Sequence, residues 1–195
     1  MTGAMFQTLV STGFLALTWL VQINLVLPLE QALRPENSNV DAFSFVFLPH
    51  GAKVLIAMFL MTWSLPVILG VSFAAGLMFG SDPTYAFLGA VKAAITTIMP
   101  IWLFNFVTNR PLNYRVFRYD NGNINLFRVS MLLVVAVAFV NSAFQAALAK
   151  AMLDINPDPQ LAIGFLTGDI VGGFVCVVGA IFVLRLYMLR GHNAV

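Results

Sequence analysis

Four ionisable side chains lie inside long apolar stretches of this sequence: His50, Lys53, Lys92 and Asp169. A charge surrounded by hydrocarbon is costly unless it finds a partner or lines a polar cavity, so each is a candidate functional residue. Lys92 and Asp169 each lie about 12 Å from the start of their apolar runs, at the rise of an α-helix. Opposite charges at matched depth predict that Asp169 pairs with Lys92 or with Lys53.

Two lysines against one acid leave a surplus positive charge. A ligand carboxylate or phosphate would neutralise it, and deprotonation of one lysine is the alternative. A purely structural ion pair that locks the helices together is a third interpretation. His50 beside a carboxylate and a lysine has the groups for acid–base chemistry, but no nucleophile–base pair or metal-ligand spacing is visible. We therefore expect a binding protein and not an enzyme, without catalytic residues or metal ligands, and the sequence assigns no cofactor.

Composition places these residues in a membrane protein. Of the 195 residues, 60% are hydrophobic and 9% are charged, and the mean hydropathy is +0.90, which leaves too little polar surface to cover a soluble globule. Long apolar runs without strand-like alternation favour helices over a β-barrel. We expect an all-α integral membrane bundle that forms a single domain over residues 1–195. The lone Cys176 can form no internal disulfide.

The distribution of charge predicts six spans, at about residues 5–29, 43–61, 65–80, 84–108, 127–149 and 161–187. Arginines between residues 109 and 128 and near the C-terminus indicate cytoplasmic segments, and this topology explains them better than nucleic acid does. The acidic segments 30–41 and 151–160 are then external. Both termini are expected in the cytoplasm, and residues 42–80 must form a hairpin that turns near Thr62 to Pro66.

The second span contains a helix-breaking sequence, Pro49-His50-Gly51. Proline and glycine inside an apolar run predict a broken or re-entrant helix, in which residues 51–61 form a short helix whose N-terminus opens inside the protein. Its free N–H groups, with Lys53 and His50 alongside, would make a site for an anion. The alternative is that Pro49 starts a helix at the membrane interface and Lys53 extends to the headgroups.

Glycines at helical spacing mark faces for close packing. Gly164, Gly168 and Gly172 fall four residues apart and predict a smooth ridge on the last span, and Gly76 and Gly80 form a second, shorter ridge. Such faces favour contact with other helices, either within the chain or in further membrane subunits.

Two segments resemble a known family of membrane sensors. Residues 47–77, FLPHGAKVLIAMFLMTWSLPVILGVSFAAGL, contain a proline–glycine helix start followed by an aromatic residue, a proline and a glycine, namely Pro49, Gly51, Trp63, Pro66 and Gly70. Residues 167–172, TGDIVG, add a glycine–aspartate segment. Together they are similar to the first class of membrane-associated sensor (MASE) domains.

The resemblance implies a bacterial, multi-pass sensory module of the cytoplasmic membrane, which in that family is usually fused to a histidine kinase or cyclic-dinucleotide output domain. The six spans predicted above are fewer than that family has, and only residues 191–195 follow Arg190. We therefore expect any signalling to pass through a separate partner.

Two other functions fit the same architecture. The substrate-binding membrane subunits of energy-coupling-factor vitamin transporters are similar in length and number of spans, and a non-catalytic scaffold subunit would bind a large partner along the glycine faces. A receptor or a transporter subunit predicts an outward-facing cavity lined by His50, Lys53, Lys92 and Asp169, and a solid bundle there would exclude both. The expected partners are the lipid bilayer, other membrane subunits and a small anionic ligand, and not nucleic acid.

Overall fold

The computed structural model describes residues 3–33, 44–60, 63–109, 126–153 and 159–192. Within these ranges the regular elements are all helices, which confirms the all-α prediction for this part of the chain. In chain order they are α1 (Gly3–Val21), a π-helical turn (Gln22–Val26), α2 (Leu27–Leu33), α3 (Leu48–Leu60), α4 (Ser64–Met78), α5 (Pro83–Thr108), α6 (Leu126–Leu153) and α7 (Pro159–His192).

Four helical stretches are long and apolar enough to cross a membrane: Met5–Leu33, Pro83–Thr108, Phe127–Leu148 and Ala162–Val183. Helices α3 and α4 are also apolar but shorter, at 13 and 15 residues. At 1.5 Å per residue they reach about 20 and 23 Å, less than the roughly 30 Å of a hydrocarbon core. The described chain therefore has the make-up of a membrane protein, with four long apolar helices and two short ones.

The first long helix continues where the sequence predicts a loop. Residues 30–33 of the expected external loop are helical, because α2 extends the helix to Leu33. Pro28 would normally disrupt such a helix, since its ring clashes with the carbonyl four residues earlier and it has no N–H. The π-helical turn before it, closed by a bond from the Leu27 N–H to the Gln22 carbonyl, widens the winding at that point.

Helix α3 is the centre of the bundle. Its residues from Pro49 to Met58 are all buried, and it packs against α1, α4, α5, α6 and α7. Proline suits the first turn of a helix, where its missing N–H would be unpaired anyway. The helix begins at Leu48, earlier than the predicted residue 51, and residues 44–47 before it are not helical. A short buried helix thus occupies the position of the second predicted span.

Glycines of α7 let the non-helical segment 44–47 lie directly on that helix. A Cβ added to Gly168 would fall 2.0 Å from the Ser44 carbonyl oxygen, and one added to Gly172 would fall 2.3 Å from the Phe47 carbonyl group. The Phe47 N–H donates to the Gly168 carbonyl at 2.9 Å. Neither position has room for a side chain, and the element that approaches them is a non-helical segment where the prediction had another helix.

A second close contact joins α3, α6 and α7. A Cβ added to Gly51 would fall 2.6 Å from the Cys176 Cβ and 2.7 Å from the Gly173 Cα, and one added to Gly173 would fall 2.3 Å from Cγ1 of Val134. The spacing pattern did not identify these two glycines as packing positions. Gly164 is buried on the same helix, and its part in packing stays a prediction.

The shorter glycine ridge contains one packing position. Gly76 lies against Ala86 of α5, whose Cβ would be 2.9 Å from an added side-chain carbon. Gly80 has a φ of +74° and open space around it, so it forms the turn after α4, and the prediction that it packs against a helix is wrong. Only glycine adopts this backbone conformation readily. Asp82 then caps α5 by accepting a 2.8 Å hydrogen bond from the Thr84 N–H.

The segments that carry the charge-based orientation lie largely outside the described residues, which omit 34–43, 110–125 and 154–158. Residues 61 and 62 of the predicted turn are also outside them. Helix α4 begins at Ser64, so Pro66 lies in its first turn, where proline is tolerated. The six-span count, the re-entrant geometry and the cytoplasmic termini remain predictions.

The glycine contact predicts a sharp positional effect within one helix. Gly172→Ala should lower the free energy of unfolding by about 1–3 kcal/mol, because the added carbon overlaps the Phe47 backbone and one element must move. Gly179→Ala is the matched control on the same helix, since its Cβ would meet nothing within 4 Å. Thermal unfolding in detergent micelles measures both. Equal melting temperatures for the two variants would contradict the close approach of segment 44–47.

Candidate functional site

Asp169 is held by side chains from two other helices. Its Oδ2 atom lies 3.2 Å from Nδ1 of His50 on α3 and accepts a 2.6 Å hydrogen bond from Nδ2 of Asn141 on α6. The Thr96 hydroxyl on α5 donates to the Lys92 carbonyl at 2.9 Å and lies 3.4 Å from Oδ1 of Asn141. His50 and Asp169 are 1% and 2% exposed. The carboxylate thus joins α3, α6 and α7 through a buried polar contact.

The His50 ring lies between two hydrogen-bond acceptors. Nε2 is 3.2 Å from the Val134 carbonyl oxygen, and Nδ1 faces the Asp169 carboxylate. A carbonyl oxygen can only accept, so Nε2 must carry a proton if this contact is a hydrogen bond. The contact at Nδ1 then requires one more proton, either on the ring or on the carboxyl group. In both arrangements the pair has no net charge.

Neither lysine forms the direct ion pair with Asp169 that the sequence predicts. The Lys92 ammonium donates to Oε1 of Gln145 on α6, and the Lys53 ammonium lies 5.7 Å from the centre of the Phe47 ring. Both lysines interact with Asp169 electrostatically without direct contact. That prediction is wrong in the partner, because the ionisable group that reaches the carboxylate is a histidine.

Of the four predicted site residues, Lys53 has the fewest polar contacts among the described residues. Its side chain is 4% exposed, and in the part of the chain that the structure describes its ammonium has no hydrogen-bond acceptor or carboxylate partner. An aromatic face compensates only part of the cost of removing an ammonium from water. The donors of Lys53 are therefore open to a ligand.

A cavity of about 470 Å³ lies beside these residues, a volume in the range of small-molecule sites. Lys53, Lys92 and Asp169 line it, and His50 lies behind Asp169. Amide, hydroxyl and carboxylate groups complete its polar wall, from Gln22, Glu30, Gln31, Ser44, Ser72, Ser81, Tyr85, Asn141 and Gln145. The site region is therefore not a solid bundle, and three of the four predicted residues share its wall.

Aromatic rings form much of the remaining wall, from Trp19, Phe47, Phe79 and Phe165. Trp19 packs edge-on against Phe47 and Phe79, with ring centres 5.3 and 5.6 Å apart. The Trp19 indole nitrogen and the Ser72 hydroxyl are buried without a hydrogen-bond partner among the described residues. The cavity thus combines an apolar side with polar groups that are not yet satisfied by the protein.

Two N–H groups at the start of α3 are already bonded within the protein, one to a side chain and one to the main chain, which corrects the prediction that they are free. The Leu48 N–H donates to Oε1 of Gln22 at 3.0 Å, Pro49 has no N–H, and the His50 N–H lies 3.2 Å from the Phe47 carbonyl oxygen. These protein acceptors occupy the positions that an anion would need. Anion binding in this region must therefore depend on side-chain donors.

A polar clamp holds the segment before α3 against the first helix. The Glu30 Oε1 accepts from the Val46 N–H at 2.9 Å and lies 3.0 Å from the Ser44 hydroxyl. Gln22, which is buried, donates from Nε2 to the same hydroxyl at 2.9 Å. Gln22 and Glu30 belong to the π-helical turn and to α2, so the irregular winding of the first helix aims both side chains at segment 44–47.

Sequence reasoning missed the amide groups of the site. Asn141 and Gln145 lie four residues apart in an apolar span, a spacing that places both on one helix face and could have identified them. Glu30 was assigned to a loop because it begins the acidic run, so its part in the clamp had no local signal. The described residues contain no group of three or more His, Cys, Asp or Glu that could hold a metal ion.

Comparison of the chain with protein-family models, curated proteins and solved structures gives no match. The resemblance to membrane-associated sensor domains therefore stays a prediction from the two quoted segments.

The His50–Asp169 contact predicts strong energetic coupling. Asp169→Asn should destabilise the protein, because an amide cannot share a proton with the His50 ring as the carboxyl group does. The Nε2 contact of His50 with the Val134 carbonyl stays buried in the variant. In a double-mutant cycle with His50→Gln, the two changes should be non-additive by about 0.5–3 kcal/mol, as expected for residues in contact. Asp169→Asn combined with Lys150→Gln, at an exposed position of α6, is the additive control. Additive effects in both cycles would refute the pairing.

Proposed function

We propose that this protein is a membrane receptor that binds a small anionic molecule in the cavity beside Lys53 and Lys92. One observation carries the proposal: the Lys53 ammonium is almost fully buried, lines a cavity, and has no hydrogen-bond acceptor or carboxylate partner among the described residues. Burying an uncompensated ammonium is costly, so its presence in an enclosed site favours a ligand that supplies the missing acceptors.

The charges on the cavity wall support an anion in particular. In the proposed site Lys53 and Lys92 are protonated and carry two positive charges, and the Glu30 carboxylate carries one negative charge. The His50–Asp169 pair contributes nothing while it holds its shared proton. Over these described groups the sum is one surplus positive charge, which a single carboxylate would neutralise.

The shape of the site favours a ligand with an apolar or aromatic body. The aromatic rings lie on the same cavity that contains the lysines, and the unpartnered Trp19 and Ser72 groups can donate hydrogen bonds to it. An aromatic carboxylate has both an apolar ring and a single negative charge. Benzoate is therefore a suitable first probe, since it combines a flat ring with one negative charge.

Membrane placement and partners belong to the same proposal. We place the six predicted spans in a bacterial cytoplasmic membrane with both termini inside, so that the cavity, which the loop after α4 borders, opens to the outside. Large apolar side chains are exposed along α1, α5 and α7, as suits helices that face lipid or further subunits. We propose that the ligand signal passes to a separate membrane partner.

Removal of either lysine charge should weaken anion binding and leave the fold intact. Lys53→Met and Lys92→Met should each weaken benzoate binding by about tenfold to a hundredfold, the value of a charge-assisted hydrogen bond. Isothermal titration of the purified protein in detergent measures the affinity. Lys150→Met is the matched control, because Lys150 is exposed on α6. Equal binding by all four proteins, or none by the wild type toward benzoate or inorganic phosphate, would refute the proposed site.

Lys53→Met should not destabilise the protein when no ligand is bound. Lys53→Met replaces a buried ammonium with an apolar chain of similar length, so the melting temperature without ligand should stay equal or rise. A marked fall would indicate that Lys53 has a structural role. The benzoate titration of Lys53→Met decides whether a deprotonated lysine explains the site, since loss of a neutral amine would leave benzoate affinity unchanged.

A sensory module and a transporter subunit would bind different partner proteins. Gentle extraction followed by native mass spectrometry should recover the chain with a bound anion and a kinase-type subunit if it senses. Recovery with an ATPase and a coupling subunit would instead identify the vitamin-transporter type of module.

A further inference from the structure

We infer that the His50–Asp169 pair is a proton-binding site, and that the protein binds one proton together with each monovalent anion. This inference rests on the proposed function, since it concerns the ligand of the same cavity. The proton site itself is defined by buried geometry that does not depend on the identity of that ligand.

The geometry creates a place for one proton. His50 Nε2 faces the Val134 carbonyl oxygen at 3.2 Å, and Nδ1 faces Oδ2 of Asp169 at the same distance. With Nε2 protonated, an unprotonated Nδ1 would point its lone pair at a carboxylate oxygen that also has lone pairs. One added proton between the two atoms converts this repulsion into a hydrogen bond. It is written either as imidazolium with carboxylate or as imidazole with carboxylic acid.

The hydrogen bond from Asn141 to Asp169 does not take the place of the proton between Asp169 and His50. The Asn141 amide donates to the same Oδ2 atom at 2.6 Å, which satisfies one lone pair of that oxygen. The other carboxylate oxygen, Oδ1, receives no hydrogen bond from a described residue, and Asp169 lines the cavity. The pair is therefore in contact with the ligand space as well as with the buried histidine.

Charge balance links this proton to the anion. Without the shared proton, the pair carries one negative charge on the wall of the cavity, and with the proton it carries none. A monovalent anion in the cavity is repelled by the charged form of the pair and not by the neutral form. The proton and the anion therefore favour each other's binding.

The described neighbours of His50 do not change this coupling. Among the described residues, the charged groups near the site are Lys53 on α3, Lys92 on α5, Asp169 on α7 and Glu30 on α2. Helices α1 and α4 contain no charged or histidine residue. Helix α6 faces the pair with Asn141, and its Arg128 and Lys150 are exposed.

Proton uptake on binding is measurable directly. Benzoate is fully ionised near neutral pH, so any proton exchange belongs to the protein. Titration calorimetry in buffers of different ionisation enthalpy should give an uptake that approaches one proton per benzoate once the pair is deprotonated in the free protein. Over the pH range in which the free protein loses this proton, the affinity should fall about tenfold per pH unit as pH rises.

The sign follows from linkage. The bound state holds the proton more tightly than the free state, so binding is independent of pH while both states are protonated and weakens as the free protein loses its proton. Benzoate binding without proton uptake at any pH at which the protein stays folded would overturn the inference and leave the anion site intact. Absence of benzoate binding would overturn both.

A second measurement needs no ligand. The chain contains two histidines, so His192→Gln leaves His50 as the only imidazole. Nitrogen-15 spectra of that variant over a pH titration should show Nε2 protonated at every pH. They should also show a single protonation step at the Nδ1–Asp169 contact, and Asp169→Asn should remove that step. A His50 ring that titrates in the same way with Asp169→Asn would refute the shared proton site, even if the variant binds benzoate weakly.

Discussion

The hydrogen-bonded contact between His50 and Asp169 is the interaction on which the arrangement of the bundle depends. It joins the central short helix to the last long helix, and Asn141 brings α6 to the same carboxylate oxygen. Ionisable groups in an apolar bundle are stable only when their hydrogen-bonding capacity is met, and here each helix supplies what another lacks. The contact therefore fixes how three helices are placed relative to one another, and the cavity lies on its open side.

Close backbone packing makes that contact reachable. Gly51 and Gly173 let α3, α6 and α7 approach until a histidine ring can bridge from the Val134 carbonyl to Asp169. Gly168 lets the non-helical segment before α3 lie on α7, and Gln22 and Glu30 bind that segment from the other side. Small residues and polar groups thus act together, because the first permit short distances and the second satisfy the backbone groups that irregular structure leaves unpaired.

The candidate site was partly visible in the sequence. Lys53, Lys92 and Asp169 were identified because charge in an apolar run is rare, and the structure places all three on one cavity wall. Their pairing was not identified, since depth along a span says nothing about direction around it, and the histidine points at the carboxylate while the lysines do not. Asn141 and Gln145 are neutral and therefore stood out less, although they contact the two predicted groups most directly.

Composition and periodic apolar runs by themselves determined the class of this protein, an all-helical membrane chain, because the length and polarity of a segment decide whether hydrocarbon can accept it. They also determined which side chains were out of place there. Only the tertiary structure decided that Gly80 forms a turn, that α3 begins at Leu48, and that His50 is the partner of Asp169. It also decided that the N–H groups of Leu48 and His50 are already bonded. These outcomes depend on which faces of helices far apart in the sequence pack together, and no local sequence pattern specifies that packing.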